Sequence, residues 1–110
     1  MIYINIAEDY TDAPGGRLIT DGEFSGEHFR ETLLYPKYME ALESGDKLTV
    51  NFDGCLGYPS SFIDEAFAGL AKKVKNKNIL DVIIIISNDD TTILDVIKAD
   101  LDDIKEDDLK

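Results

Sequence analysis

The sequence predicts a small single-domain α/β sandwich, with a mixed, mostly parallel sheet and elements in the order β-α-β-α-β-α. Three short segments, residues 2–6, 48–53 and 82–86, have the apolar patterns of strands. Between and after them, apolar residues recur at helical spacing over residues 25–42, 62–74 and 93–104. Because parallel strands require crossover helices, this alternation favours a sheet covered by helices.

The first strand is predicted by Ile2, Ile4 and Ile6, which alternate with polar or exposed positions. A Pro-Gly-Gly turn follows, and residues 17–20 are expected to form a second short strand that pairs with the first as a hairpin. Ser25 is then predicted to cap a helix. That helix should break at Pro36, because proline has no backbone N–H to donate.

The later elements follow from apolar patterns. Residues 82–86 are apolar at every position, which is typical of a strand buried on both faces, so this strand is expected at the centre of the sheet. A last helix should bury one apolar face, formed by Ile93, Leu94, Ile97, Leu101 and Ile104. Residues 1–105 are therefore predicted as one domain, followed by a frayed acidic tail at 106–110.

Composition limits the classes of function. The 23 acidic and 11 basic residues give a net charge of −12, which repels phosphate backbones and argues against direct nucleic-acid binding, whereas it would suit a basic protein partner. Cys55 is the one cysteine, and no apolar run approaches the roughly 20 residues that span a bilayer. We therefore expect a cytoplasmic protein without membrane contact.

The sequence contains no complete catalytic or metal-binding pattern. His28 and Cys55, each the one residue of its type, are far apart in sequence and have no nucleophile signature around them. The histidine and cysteine content does not support zinc, and the terminal aspartates lack calcium-loop spacing. Gly15-Gly16 alone is not a phosphate-binding loop. No enzyme activity, metal or cofactor is expected.

The segment after residues 48–53 is the first candidate site, because ligands of α/β sheets gather at the carboxyl ends of strands. Pro59 favours an extended Tyr58, so a helix should begin near Ser60 or Ser61, where a hydroxyl could cap it. A helix start also stabilises an added phosphate. Both serines are therefore candidate caps and candidate phosphorylation or partner-binding sites.

Two groups of charged residues are further candidates. Arg17 and Arg30, the two arginines of the chain, should either pair with Asp53, Asp64 or Glu65 or bind an anion near the serines, and ion pairs are favoured. The last helix and tail, residues 89–110, hold nine acidic residues and three lysines. The acidic surface predicted there consists of Asp95, Asp100, Asp102, Asp103, Asp107 and Asp108.

Several short motifs occur together between residues 16 and 75: Gly16-Arg17, Ser25-Gly26, Phe29-Arg30, Phe52-Asp53-Gly54, and Ser-Ser-Phe-Ile-Asp-Glu-Ala-Phe at 60–67 followed by Gly69-Leu70. In these the chain resembles the STAS-like family of bacterial and phage proteins, which is distantly similar to the STAS domains of anti-sigma-factor antagonists. Those antagonists carry Asp-Ser-Ser/Thr-Gly at the equivalent helix start, and a partner kinase phosphorylates the serine. Here residues 59–62 read Pro-Ser-Ser-Phe, without that aspartate and glycine.

Two functions remain open. The first is a non-enzymatic, regulatory signalling module of STAS-like type that binds a protein near Ser60 or Ser61 and is controlled by serine phosphorylation. The resemblance implies an ATP-binding, kinase-like partner. The second is an acidic inhibitor or decoy of phage type that covers a basic nucleic-acid-binding groove on another protein. An exposed helix start would favour the first function, and a one-sided row of carboxylates would favour the second.

Overall fold

The computed structural model describes residues 2–110, and the strands of this part form one parallel sheet in the order β1-β2-β3. The strands are β1, Ile2–Asn5, β2, Leu48–Asn51, and β3, Ile83–Ile86. They pair in register, so that Ile2 lies beside Leu48 and Leu48 beside Ile83. The predicted α/β class is confirmed.

The helices are α1, Ile6–Asp9, α2, Gly26–Phe29, α3, Tyr35–Ser44, α4, Ser60–Ile63, α5, Gly69–Val74, and α6, Ile93–Asp102. Two π-helical turns, Arg30–Leu34 and Asp64–Ala68, join α2 to α3 and α4 to α5. Residues 26–44 and 60–74 are consequently two long, continuous helical segments. Short 3₁₀ turns lie at Ile19–Asp21, Ile79–Asp81 and Glu106–Leu109.

One face of the sheet is buried against these helices and the other is open. The buried face carries Ile2 and Ile4 of β1 together with their partners on the other strands, and Phe52 after β2 packs on Phe67 at a ring separation of 5.9 Å. On the opposite face, Tyr3 is 40% exposed and Ile84 is 48% exposed. The helices therefore lie on one side of the sheet.

The predicted hairpin is wrong, and the sheet is parallel rather than mixed. Residues 17–20 lead into the 3₁₀ turn Ile19–Asp21 instead of a strand. The Asp21 carboxylate accepts the N–H groups of Arg17 and Leu18 at 3.3 and 2.9 Å, and Glu27 Oε1 accepts that of Ile19 at 2.9 Å. Side chains thus occupy the backbone donors that a hairpin would need.

The isoleucine strand is at an edge of the sheet, so its predicted central position is also wrong. The centre is β2, where even the polar Thr49 is buried because it has a strand on each side. A run of apolar residues indicates a buried strand, but it does not indicate how many neighbouring strands that strand has. In β3 the run leaves Ile84 partly in solvent.

The helix does not break at Pro36. In the π-helical turn before it, the Tyr35 N–H bonds to the Arg30 carbonyl, five residues back instead of four. This wider turn accommodates a proline in the first turn of α3, so that helical structure continues from residue 30 to residue 44. The Ser25 cap is confirmed, since its side chain accepts the His28 N–H at 3.1 Å.

The C-terminal part differs from the expectation in one detail. Leu94 is exposed, while the other four predicted apolar residues of the last helix are buried. The tail forms the 3₁₀ turn Glu106–Leu109, and Leu109 packs against the core. Among the described residues, no helix is both long enough and apolar enough to cross a membrane.

Candidate functional site

The serine turn opens the second helical segment at the carboxyl end of β2. Pro59, not a serine, occupies the cap position, and its carbonyl accepts the N–H groups of Phe62 and Ile63 at 3.0 and 3.3 Å. Ser60 and Ser61 stand one and two residues inside the helix, so the predicted serine cap is wrong. Neither hydroxyl has a hydrogen-bond partner among residues 2–110, and Ser60 is exposed while Ser61 is partly buried.

A cleft of about 300 Å³ lies beside Ser60, between the segment that carries Arg17, the helix that carries Asp64, and α6. Its charged lining consists of Arg17, Lys72, Asp64, Asp100 and Asp103. Asp100 Oδ2 is buried and has no hydrogen-bond partner among the described residues. Desolvation, and then the negative charges of Asp64 and Asp103, raise the pKa of Asp100.

The two arginines hold the start of this helix by ion pairs. Arg17 Nη1 donates to Asp64 Oδ2 at 2.7 Å and lies 3.7 Å from Glu65 Oε1. Arg30 Nη1 donates both to Glu65 Oε2 and to the Glu65 carbonyl, each at 2.7 Å. The structure therefore brings Arg17, Arg30, Asp64 and Glu65 together, next to Ser60.

The Arg30–Glu65 pair connects the two π-helical turns. The Gly69 N–H reaches back to the Asp64 carbonyl, so the Glu65 carbonyl is free to accept the guanidinium. The pair is mostly buried, at 13% and 20% side-chain exposure. A Cβ on Gly69 would overlap Arg30 Nη1 and lie 3.2 Å from Cζ, so glycine is what gives the guanidinium its space.

The sequence did not reveal the outer part of this network. Arg30 Nε also donates to Glu31 Oε2 at 3.0 Å, and Lys73 Nζ lies 2.9 Å from Glu31 Oε1. Lys73 lies over the Tyr35 ring, with Nζ 4.6 Å from the centroid. The available signal was Gly69, whose place in the middle of a helix indicates a close approach.

Asp53 lies outside the arginine network, contrary to one of the pairings predicted for it. Its carboxylate accepts the N–H groups of Asn88 and Asp89 at 2.7 and 2.9 Å, and the Asn88 amide at 2.9 Å. These hydrogen bonds, foremost that from the Asp89 backbone, lower the pKa of Asp53. Asp53 therefore ties the end of β2 to the loop after β3.

The predicted acidic surface is divided among different places. Asp100 and Asp103 line the cleft beside Ser60, whereas Asp102 lines a second cleft with Lys77 and Lys98. The remaining three, Asp95, Asp107 and Asp108, are exposed, and Asp107 pairs with Lys110 at 3.2 Å. Within residues 2–110, these carboxylates are therefore not gathered in a single cleft.

Comparison with known protein families places most of this geometry within one domain type. Residues 25–92, more than half of the chain, match the family model of a STAS-like domain of unknown function. The chain belongs to the STAS-like domain family. Within this STAS-like domain, the match contains Arg30, Asp53, both serines, Asp64 and Glu65, whereas Arg17 and α6 lie outside it. No curated protein and no solved structure matches the chain.

Proposed function

We propose that this STAS-like domain is a non-enzymatic regulatory module that binds a protein partner through its serine-turn surface. That surface consists of Leu56, Ser60, Ser61 and the adjoining cleft. The observation that carries the proposal is the exposed helix start, where the Ser60 hydroxyl has no hydrogen bond to the described residues. Leu56, in the loop just before, is 82% exposed and offers apolar area beside these polar groups.

The chemistry of the cleft favours a partner that contributes hydrogen-bond donors or basic side chains. Three carboxylates face two cations there, and Arg17 is already engaged by Asp64. Asp100 brings to the same place an oxygen to which no group of residues 2–110 donates a hydrogen bond. A donor from a partner would satisfy groups that the domain alone leaves unsatisfied. By resemblance, the proposed partner is an ATP-binding, kinase-like protein.

Phosphorylation of Ser60 is the proposed control of this contact. Ser60 is the more accessible of the two serines. A phosphate would add up to about two negative charges beside Asp64, Asp100 and Asp103, with only part of that charge balanced by Arg17 and Lys72. Enclosing this phosphate in the contact, beside the apolar Leu56 and the carboxylates of the cleft, would carry a desolvation and repulsion cost, and it would change the hydrogen bonds at the helix start. We therefore expect modification to weaken binding.

Ser60→Asp tests this proposal. Since a carboxylate at a helix start is compatible with the helix dipole, the melting temperature should stay near that of the wild type. Affinity for the partner should fall at least tenfold, about 1.4 kcal/mol. The partner is first captured with the wild-type domain and identified by mass spectrometry, and the purified pair is then titrated by calorimetry. Ser61→Asp is measured in parallel.

Asn76→Asp is the matched control, because it adds the same charge beyond the other end of this helical segment. It should leave affinity unchanged. If Ser60→Asp and Ser61→Asp both bind the purified partner as tightly as the wild type, the serine-turn surface does not make the contact. Equal weakening by Asn76→Asp would instead show an effect of net charge alone.

A further inference from the structure

Strand β3 has an unpaired edge. In a parallel pair, the N–H and C=O of one residue point to the same side, and successive residues alternate. The Val82 and Ile86 carbonyls accept from Leu48 and Phe52 on the β2 side, at 2.9 and 2.8 Å. The backbone groups of Ile83 and Ile85 therefore point away from β2, and among the described residues nothing bonds to them.

This edge lacks most of the usual protection against strand pairing. Exposed edges normally are very short, carry charges, prolines or bulges, or are covered by other elements, and of these features the described residues give β3 only its short length of four residues. Strand β3 consists of four isoleucines, and Ile84 is half exposed on the open face of the sheet. The outer edge of β1 is different, because the Asp9 carboxylate accepts the Asn5 N–H at 2.8 Å. The unpaired edge suited to pairing is thus that of β3.

Charge indicates which kind of strand would pair there. Asp53, Asp89 and Asp90 lie at the carboxyl end of β3, and no basic side chain of residues 2–110 forms an ion pair with them. At the other end, Lys47 Nζ donates to the Asp81 carbonyl, so charge is mixed. Two copies of the chain, each at −12, would repel one another, and antiparallel β3 pairing would bring Asp81 towards the partner copy's acidic loop.

We propose that the edge of β3 accepts an extended segment of a protein partner as a fourth strand. Residues beside Ile83 and Ile85 would be apolar, because these positions face the buried side of the sheet. Basic residues would follow at the end that lies beside Asp89 and Asp90. Ile83 and Ile85 together offer two donors and two acceptors. This surface is distinct from the serine turn and does not depend on the function proposed for it.

Designed peptides test the proposal directly. The probes are acetyl-Val-Thr-Val-Thr-Val-Lys-Lys-amide and its counterpart with the lysines at the amino end, so that one suits each strand direction. Both are compared with versions in which glutamate replaces lysine. One basic peptide should slow amide hydrogen exchange at Ile83 and Ile85 at least tenfold, with a dissociation constant at least tenfold lower than that of its acidic version.

Ile85→Pro should abolish this binding, because it removes an edge donor without removing a bond to β2. Tyr3→Pro is the matched control on the outer edge of β1. The Asn5 N–H faces away from β2, and by alternation the Tyr3 N–H does too, so this variant also loses an edge donor and no bond to β2. It should leave peptide affinity unchanged. Melting temperatures identify a variant that fails to fold. In that case the hydrogen-exchange data on the wild-type protein alone decide whether the peptide binds the edge of β3. Unchanged exchange with all four peptides would overturn the proposal, as would a concentration-dependent homodimer that protects the same amides.

Discussion

Gly69→Ala should destabilise the protein, although alanine is normally better than glycine inside a helix. The substitution would place a Cβ where the Arg30 guanidinium lies, and within 3.3 Å of Glu65 Oε2. Arg30 would have to leave its two bonds to Glu65. The outcome therefore depends on whether helix propensity or the Arg30–Glu65 pair makes the larger contribution.

The two contributions can be compared. Replacing glycine by alanine in a helix gains about 1 kcal/mol. A hydrogen bond to a charged group contributes about 1.5–3 kcal/mol, so losing both bonds to Glu65 costs about 3 kcal/mol at the low end of that range. The low end is appropriate because Arg30 is long and can move its charge towards water. The net loss expected for Gly69→Ala is about 2 kcal/mol.

A double-mutant cycle separates these effects. Free energies of unfolding are measured by urea denaturation followed by circular dichroism for the wild type, Gly69→Ala, Arg30→Ala and the double variant. With Arg30 removed, Gly69→Ala should stabilise by about 1 kcal/mol, so its effect changes sign. Gly45→Ala is the control: Gly45 has a φ of +68° and nothing near its Cβ, so its cost should be the same with or without Arg30. Equal stabilisation by Gly69→Ala in both backgrounds would refute the reasoning.

Three further predictions concern the core, the cleft and the acidic side chains. Phe67→Ala should cost about 3–5 kcal/mol in denaturant melts, because the ring is fully buried against Phe52, and a loss under about 1 kcal/mol would show that it is not core. Asp100→Asn should raise the melting temperature at neutral pH, because the raised pKa of Asp100 means that its ionised carboxylate opposes folding. This destabilisation is complete above the folded-state pKa and absent below the unfolded-state pKa. The gain in melting temperature should therefore vanish on acidification. If the acidic side chains attract a basic partner, neutralising five of them should slow association and flatten its salt dependence without unfolding the domain. The five are Asp100, Asp102, Asp103, Asp107 and Asp108. An unchanged association rate at low salt would contradict that role.

Local chemistry made much of the fold predictable. The Ser25 cap depends on a hydroxyl three residues from the donor, and the sequence shows that spacing directly. The strands follow from apolar runs, and residues 62–74 follow from helical periodicity. The prediction that a helix starts at the serines is correct, but the prediction that a serine caps it is wrong. Pro59 is the cap, because it takes the extended conformation that a cap requires.

Long-range relations were less accessible. The order of the strands depends on which faces the helices cover, and an isoleucine run is compatible with a centre or with an edge. Both π-helical turns are linked to the pairing of Arg30 with Glu65, which lie in different helical segments, so no local pattern predicts them. Asp53 could be assigned to an arginine by charge, yet its partners are backbone N–H groups of the loop after β3.

The parallel register has a consequence for the order of folding during synthesis. Ile2 must wait for Leu48 before β1 has a neighbour, and Leu48 must wait for Ile83 before β2 is enclosed. The helical segments at 26–44 and 60–74 rely on contacts between nearby residues and can form earlier. Because domains are made from the amino end, the four isoleucines leave the ribosome last among the strands, when β2 is ready to pair with them. The strand made of four isoleucines therefore finds its neighbour already synthesised when it emerges.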